Sequence, residues 1–302
     1  MIKPKNFGLW GNTDKSVFWQ ILPKIIDWAN INKIQIYITE KIQTDVEFNA
    51  NSLPVINSNE KINEMDFMLV LGGDGTFLSC ARAVEHHDTP ILGIHLGDLG
   101  FLAKVTLDDI FQRLDQVAKG DYLIEKRSMV KAVLKKSGGE KVSYGLNDFV
   151  VTSGESHRLL VSEVFVNGNR VSEYRSDGLI VATPTGSTAY SLSSGAIICS
   201  SAYNEYTVAP DVDSFVITPI SAHSLNSRPL VVSNKSSIEI KFSNYNQDII
   251  FITDGQLHEV LRPNDVALIS NSNFQIGLID FDDNDYFHTL RTKMGWGTRG
   301  ES

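Results

Sequence analysis

Cysteine is scarce in this chain, with only Cys80 and Cys199 among 302 residues. Both lie in apolar or small-residue helical contexts and form no CxxC pair, so a disulfide framework or a thiolate zinc site is not expected. They read as two buried, reduced thiols in a cytoplasmic protein. Basic charge is also in deficit: 27 Lys and Arg stand against 36 Asp and Glu, a formal net charge of −9. That balance speaks against a broad nucleic-acid surface, and a small anionic ligand would need local basic groups or a metal ion. No stretch approaches the ~20 apolar residues that span a bilayer, so no membrane partner is expected. Met1-Ile2-Lys3-Pro4-Lys5 lacks the apolar core of a secretion signal. His86-His87 has no third or fourth converging ligand and reads as solvated rather than metal-binding. Internal repeats, low-complexity tracts and long linkers are likewise missing. What remains, 42% hydrophobic and 21% charged residues, is ordinary globular composition, long enough for two domains.

The most informative stretch is Leu69-Val70-Leu71-Gly72-Gly73-Asp74-Gly75-Thr76-Phe77-Leu78. The apolar segment from Met65 to Leu71 reads as a buried strand, and Phe77, Leu78, Ala81 and Val84 recur at helical spacing after a turn with three glycines. Strand, glycine turn and helix together present backbone N–H groups and a helix N-terminus to a phosphate. Asp74 is the anomaly. A carboxylate repels phosphate at short range, so its presence points to chemistry, as a base or as a link to a cation.

Strand and helix patterns alternate over the first hundred or so residues. Phe7 to Trp10, Ile34 to Thr39 and Pro90 to His95 read as strands. Asp14 to Asn30 carries an apolar helical stripe in which Pro23 should introduce a kink or break. Such alternation predicts a parallel sheet with helices on its faces. A helix is expected over Thr106 to Ala118, with Thr106 as N-cap and Asp109 three residues on. From Glu125 to Ile279 the pattern becomes mostly strands: Glu125 to Val133, Val142 to Thr152, Leu159 to Val166, Ser236 to Phe242, Ile249 to Thr253, Val266 to Ser270 and Phe274 to Ile279. Turns such as Ser137-Gly138-Gly139 separate them. Tyr286 to Trp296 reads as a closing helix that packs back onto the first domain. The expected division is therefore an α/β domain over 1–104, joined by 281–302, and a β-rich domain over 105–280.

One segment interrupts the β-rich half. Leu179 to Ala182 is an apolar strand, Pro184 to Ser187 a hydroxyl-rich turn, and Thr188 to Ser200 a predicted helix of small residues. Small side chains let backbone approach a ligand, and hydroxyls both donate and accept hydrogen bonds, as a ribose or phosphate requires. Tyr190 offers a flat face for a base. A plain capped turn would use the same residue types. Two such turns, each near an acid, favour a nucleotide site.

Gly72-Gly73-Asp74-Gly75-Thr76, Asp177-Gly178-Leu179 and Thr183-Pro184-Thr185-Gly186-Ser187-Thr188-Ala189-Tyr190-Ser191 closely resemble the bacterial NAD kinases. Leu99-Gly100-Phe101-Leu102, Asn147-Asp148, His223-Ser224-Leu225, Arg228-Pro229-Leu230-Val231, Asp254-Gly255-Gln256 and Thr292-Lys293-Met294-Gly295-Trp296 extend the resemblance over nearly the whole chain. The glycine turn alone is shared with diacylglycerol and sphingosine kinases; the hydroxyl-rich segment is more specific. The resemblance implies an α/β N-terminal domain with a parallel sheet, a β-rich C-terminal domain, a site between them, and assembly as a homodimer or homotetramer. It implies phosphoryl transfer from ATP, or from inorganic polyphosphate, to the 2′-hydroxyl of the adenosine ribose of NAD, with a divalent cation, usually magnesium. Asp74 would then be the general base, and Gly75 would bind phosphate oxygens. Asn147 and Asp148 would hold the nucleoside. Thr185, Thr188, Ala189, Tyr190, Ser191, Leu192 and Ser193 would line the NAD site. Asp177 would bind the nicotinamide end or order the loop, with Arg158, Arg175 and Gln256 as further contacts. No metal ligand is implied. Two departures stand out: Asp148 replaces the family's usual glutamate, and His95 stands where an asparagine is expected. A diacylglycerol-type lipid kinase, or a sensor that binds NAD or ATP without turnover, are the competing readings.

Overall fold

The computed structural model describes residues 3–45, 53–97, 99–154, 159–194, 198–199, 204–205, 207–224, 227–243, 248–281 and 286–294. The chain forms two compact units, Met1–Lys126 with Ile276–Ser302, and Arg127–Gln275. It passes between them within the strands Leu123–Lys136 and Val266–Asp280.

The first unit is built on a parallel sheet. Its central strands are Asn6–Gly11 and Met68–Gly72, flanked by Gln35–Thr39 and Val55–Ile56 on one side and by Ile91–His95 on the other. Leu278, near the end of the long strand Val266–Asp280, pairs in parallel beyond Ile91. In chain order the first five strands run 3-2-1-4-5, so the direction of winding reverses between Asn6–Gly11 and Met68–Gly72. In open parallel sheets that reversal leaves a crevice at the carboxyl ends of the strands. The glycine turn lies there because it follows Gly72 directly.

Met68–Gly72 and Ile91–His95 are fully buried, as strands covered on both faces must be. One face packs against the helix Ser16–Asn32, whose Phe18, Leu22 and Ile25 share a core with Leu69, Leu71, Leu92 and Ile94. Burying each such side chain contributes roughly 1.5–3 kcal/mol. This helix carries Pro23 in its interior without a break. Pro23 faces solvent, so the carbonyl four residues earlier can be hydrated instead of bonded. The helix Ile110–Lys119 joins the same core through Ile110, Leu114 and Val117. It starts four residues later than expected, because Thr106 and Asp109 close a capping pair before the first regular turn: Thr106 Oγ1 donates to Asp109 Oδ2 (2.6 Å) and accepts the Asp109 N–H (3.2 Å). The helix Tyr286–Met294 belongs to this unit, where Lys293 Nζ stands 5.0 Å from the centre of the Phe101 ring.

The second unit is built on antiparallel pairs. A six-stranded sheet is ordered Leu230–Ser233, Ser214–Ile220, Gly178–Ala182, Asp148–Thr152, Ile249–Thr253 and Leu257–Leu261. Asn169–Ser176, Leu160–Val166, Ile238–Phe242 and Val266–Asp280 form a second layer. Between the layers lie Phe149, Val151, Leu179, Val181, Phe215 and Phe251 from one sheet with Leu160, Val164, Ile238 and Ile240 from the other. Val150, Ile180, Ala182 and Val216 bury the outer face of the six-stranded sheet. The stretch expected as one strand from Val142 to Thr152 is two, Gly139–Gly145 and Asp148–Thr152, broken at Leu146–Asn147. Conversely, Val266–Asp280 is one strand where two were expected.

Candidate active site

The helix Asp74–Val84 begins inside the stretch expected as a turn, so that Asp74 and Gly75 lie in its first turn, with Gly73 in extended conformation as N-cap. The carbonyl of Gly73 accepts the N–H groups of Thr76 (3.0 Å) and Phe77 (3.1 Å), which winds the first turn tightly. Gly75 is exposed at its start. The Asp74 carboxylate, half-buried, accepts three backbone N–H groups from one segment. Phe101 donates to Oδ2 at 3.0 Å; Leu102 and Ala103 donate to Oδ1 at 3.1 and 3.2 Å. Oδ2 thus carries one hydrogen bond and Oδ1 two, which leaves Oδ2 the oxygen with more acceptor capacity. Sequence reasoning missed this grip. Its signal was Gly100, where a Cβ would collide with the Asp74 carboxylate.

The second constellation lies within the β-rich unit. Ala182 is in register with Asp148, so the turn after Gly178–Ala182 emerges beside Asn147. The two segments are stitched together. The Thr183 N–H donates to the Asn147 carbonyl (2.8 Å), and Thr183 Oγ1 donates to the Leu146 carbonyl (2.6 Å) while accepting the Gly186 N–H (3.1 Å). Gly186 packs so tightly on the Asn147 backbone that a Cβ would come within 2.8 Å of Asn147 Cα. Asp254 completes the arrangement by accepting the N–H groups of Leu146 (3.1 Å), Asn147 (2.8 Å) and Asp148 (3.2 Å). Sequence reasoning placed Asp254 in a matching segment but gave it no role; an acid in an Asp-Gly turn directly after an apolar strand was the available signal.

Asp148 is buried, and burial first, then the neighbouring Asp254 carboxylate, pushes its carboxyl up to about 7. Thr185 is buried, and Asn147 and Thr188 are half-buried. Thr188 Oγ1 donates to the Thr185 carbonyl (3.0 Å). The Ser191 hydroxyl is bonded to that of Thr218 (2.9 Å) in the interior. Ala189 and Leu192 are half-buried; Ser193 and Gln256 are exposed, and Tyr190 is 48% exposed, with its ring open to a planar partner.

The helix expected over Thr188 to Ser200 is not formed. A 3₁₀ turn, Gly186–Thr188, is followed by the four-residue helix Tyr190–Ser193, and Ile198–Cys199 pairs as a strand with Asn204–Glu205. Ala189, at φ −103° and ψ −132°, interrupts the helical path. The N–H groups of Gly186 and Ser187 are already bonded to Thr183.

Arg175 and Asp177 are not brought to this constellation. Both precede the strand Gly178–Ala182, whose far end carries the hydroxyl turn, and six residues of extended chain span about 20 Å. Each is exposed. Arg175 Nε pairs with Glu173 Oε1 at 3.0 Å, and the Asp177 N–H donates to the Ile220 carbonyl at 2.9 Å. Arg158 and the side chain of Cys199 lie outside the described residues; Cys80 is buried.

Two family descriptions match the chain in order: ATP-NAD kinase N-terminal domain over residues 7–122, and ATP-NAD kinase C-terminal domain over residues 146–281. The chain belongs to the ATP-NAD kinase family. An NAD kinase of Caldanaerobacter subterraneus subsp. tengcongensis is 36% identical over 291 residues, covering 96% of this chain and 99% of that one. An NAD kinase of Clostridium botulinum is 38% identical over 295 residues, 98% of each chain. Among solved structures, a yeast NADH kinase complexed with NADH superposes with a TM-score of 0.87 at 24% identity, covering 98% of this chain and 88% of its own. An Archaeoglobus fulgidus NAD kinase in complex with ATP gives 0.74, also at 24% identity, over 96% and 98%. At that identity the structural likeness establishes the shared two-part fold.

Proposed function

We propose that the protein is an NAD kinase that transfers the terminal phosphoryl group of ATP to the 2′-hydroxyl of the adenosine ribose of NAD. Family membership over nearly the full chain supports this reading. The observation that carries it at the level of residues is the presence in one chain of a glycine turn bearing Asp74 and of a hydroxyl-rich turn stitched to Asn147–Asp148. A lipid kinase would use the first and has no need of the second.

In this reading the glycine turn and the N-terminus of the helix Asp74–Val84 face the transferring phosphates, with Gly75 at the point of contact. A ribose hydroxyl is a weak nucleophile at neutral pH. Its proton passes to Asp74 Oδ2 as the oxygen bonds to phosphorus; the bond to the bridging oxygen breaks, and ADP leaves with that electron pair. The three N–H donors from Phe101, Leu102 and Ala103 fix the carboxylate for this task. Asn147 and Asp148 hold the nucleoside, Tyr190 stacks on a base, and Thr185, Thr188, Ala189, Ser191, Leu192 and Ser193 form the wall beside it. Gln256, Arg158 and Arg175 are further contacts, and Asp177 binds the nicotinamide end or orders the loop. Asp148 has one methylene fewer than glutamate, so its reach to the ribose is shorter.

Magnesium completes the proposed reaction. Among the described residues no group of three or more His, Cys, Asp or Glu is placed to hold a metal ion. Magnesium dehydrates reluctantly and would bind mainly through substrate phosphates and water. A cytoplasmic location and assembly as a homodimer or homotetramer complete the proposal. No helix among the described residues is long and apolar enough to cross a membrane.

The test is NADP formation from NAD with ATP and magnesium, read by an NADP-specific dehydrogenase. Turnover is expected. A folded protein that binds NAD but makes no NADP from ATP or inorganic polyphosphate would be a sensor. Phosphorylation of diacylglycerol with NAD ignored would place it among the lipid kinases.

A further inference from the structure

The strand Ile91–His95 has two edges. Met68–Gly72 runs along the whole of one, from Met68 beside Ile91 to Gly72 beside His95. The other edge is shared between two pieces of chain remote in sequence. Leu278, near the end of Val266–Asp280, stands beside Ile91, and Val105 takes over at Ile94 in a single parallel bridge. The Val105 N–H donates to the Gly93 carbonyl (3.3 Å), and the Val105 carbonyl accepts the His95 N–H (3.0 Å). Parallel strands advance together, so Asp280, two residues beyond Leu278, comes about level with Gly93. The end of one piece thus meets the start of the other on one edge.

The piece that takes over is the one that grips Asp74. Phe101, Leu102 and Ala103 give their N–H groups to its carboxylate, and Leu102 and Ala103 are buried. Gly93 lets this segment lie close, since a Cβ there would stand 2.9 Å from Ala103 Cα. Between the last of the three donors and the bridge residue Val105 comes Lys104. Its side chain is 10% exposed, and Nζ lies 2.5 Å from Asp280 Oδ2 and 3.3 Å from Glu125 Oε2. Asp280 ends the strand Val266–Asp280, and Glu125 lies near the start of Leu123–Lys136. All three residues belong to the first unit, as Asp74 does.

An exposed ion pair holds little, but removing one partner of a nearly buried pair strands the other charge away from water. Among the described residues no backbone ladder joins the Phe101–Val105 segment to Val266–Asp280, so the ammonium makes that link. What it fixes is the position of the neighbouring N–H donors. A carboxylate that must meet a hydroxyl within hydrogen-bond reach is sensitive to displacements of about 1 Å.

We infer that Lys104 is a positioning residue for the phosphoryl transfer: anchored on Asp280 and Glu125, it holds the Phe101–Ala103 donors, and through them the Asp74 carboxylate, in place. The part played by Asp74 rests on the NAD kinase reading; the anchor itself rests on the geometry of Lys104.

Lys104→Met keeps most of the stem and removes the charge, and Lys104→Arg restores the charge. At a temperature where both are folded, Lys104→Met is expected to lower kcat by about tenfold to a hundredfold. KM for NAD and KM for ATP should be unchanged, and Lys104→Arg should recover a large part of the loss. Amide hydrogen exchange reads the grip directly: the N–H groups of Phe101, Leu102 and Ala103 should exchange at least about tenfold faster in Lys104→Met. Because that variant can fail to fold, Asp280→Asn supplies a gentler second one, which keeps an acceptor oxygen and removes the charge. It should show the same pattern, weaker. A pair with only a structural role would lower the melting temperature and leave both kcat of the folded variants and the exchange of these three amides unaltered; that result overturns the proposal. So does a loss carried by KM alone, or by Lys104→Arg as fully as by Lys104→Met. A wild-type protein that forms no NADP, while the three amides open in Lys104→Met, would refute the kinase reading and leave the anchor standing.

Discussion

Gly100 lies against the carboxylate of Asp74 so closely that a Cβ at residue 100 would overlap Asp74 Oδ1. The next three residues donate their N–H groups to the same carboxylate. A position that tolerates no side chain and an acid held by three backbone donors thus form one unit.

Gly100→Ala is expected to push Asp74 or the Phe101–Ala103 segment aside, lowering stability by about 1–3 kcal/mol. The same displacement should lower NADP formation at least about tenfold, because a misplaced base loses its alignment with the hydroxyl. Thermal unfolding and the coupled assay check both. Unchanged values in the two would show that the loop gives way without moving Asp74.

Asp74→Asn removes the proton acceptor while keeping the shape. Turnover should fall by on the order of 10²-fold or more, with NAD binding by calorimetry roughly retained. Near-normal turnover would sink the base assignment.

Thr183→Val replaces a buried hydroxyl that joins the Leu146 carbonyl to the Gly186 N–H. Each partner left unpaired costs about 1–3 kcal/mol. A clear fall in melting temperature is expected, with a severalfold rise in KM for NAD as the turn loosens from Asn147. A variant that melts with the wild type would show that water replaces the hydroxyl.

Asp148, with its carboxyl at about 7 against an ordinary 3.8, keeps a proton in the folded state that the unfolded chain has already released. Stability should therefore fall as pH rises between those two values, with the full penalty above about 7. Asp148→Asn removes the penalty. The variant should be more stable than the wild type at pH 8 by up to a few kcal/mol and nearly equal to it at pH 4, as measured by urea unfolding. A difference that does not change with pH would mean that Asp148 is not protonated in the native protein.

The strand, glycine turn and helix around Asp74 were legible because every signal is local: an apolar run, three glycines, then a 3.6-residue period. The strands of the β-rich half were legible where apolar residues alternate, as in Leu160–Val166. Four longer strands of that half were not expected, Asn169–Ser176, Ser214–Ile220, Leu230–Ser233 and Leu257–Leu261, although the apolar, buried run of Ser214–Ile220 carried a local signal. Asn169–Ser176 and Leu257–Leu261 lie at sheet edges and are largely exposed, so burial does not write a pattern into them. The helix expected after Thr188 failed because small residues are compatible with several local conformations, and the hydrogen bonds of Thr183 selected a tight turn.

The sequence by itself determined that this is a two-part α/β and β-rich protein with an acid in a glycine turn and a hydroxyl-rich turn. Those features depend on residue type and short-range spacing. Tertiary structure alone decided which atoms meet. Asp74 reaches a segment 27 residues away, and Asp254 reaches one more than a hundred residues away. No periodicity encodes such contacts, because strand register and the crossing of distant loops fix them only once the sheets have formed.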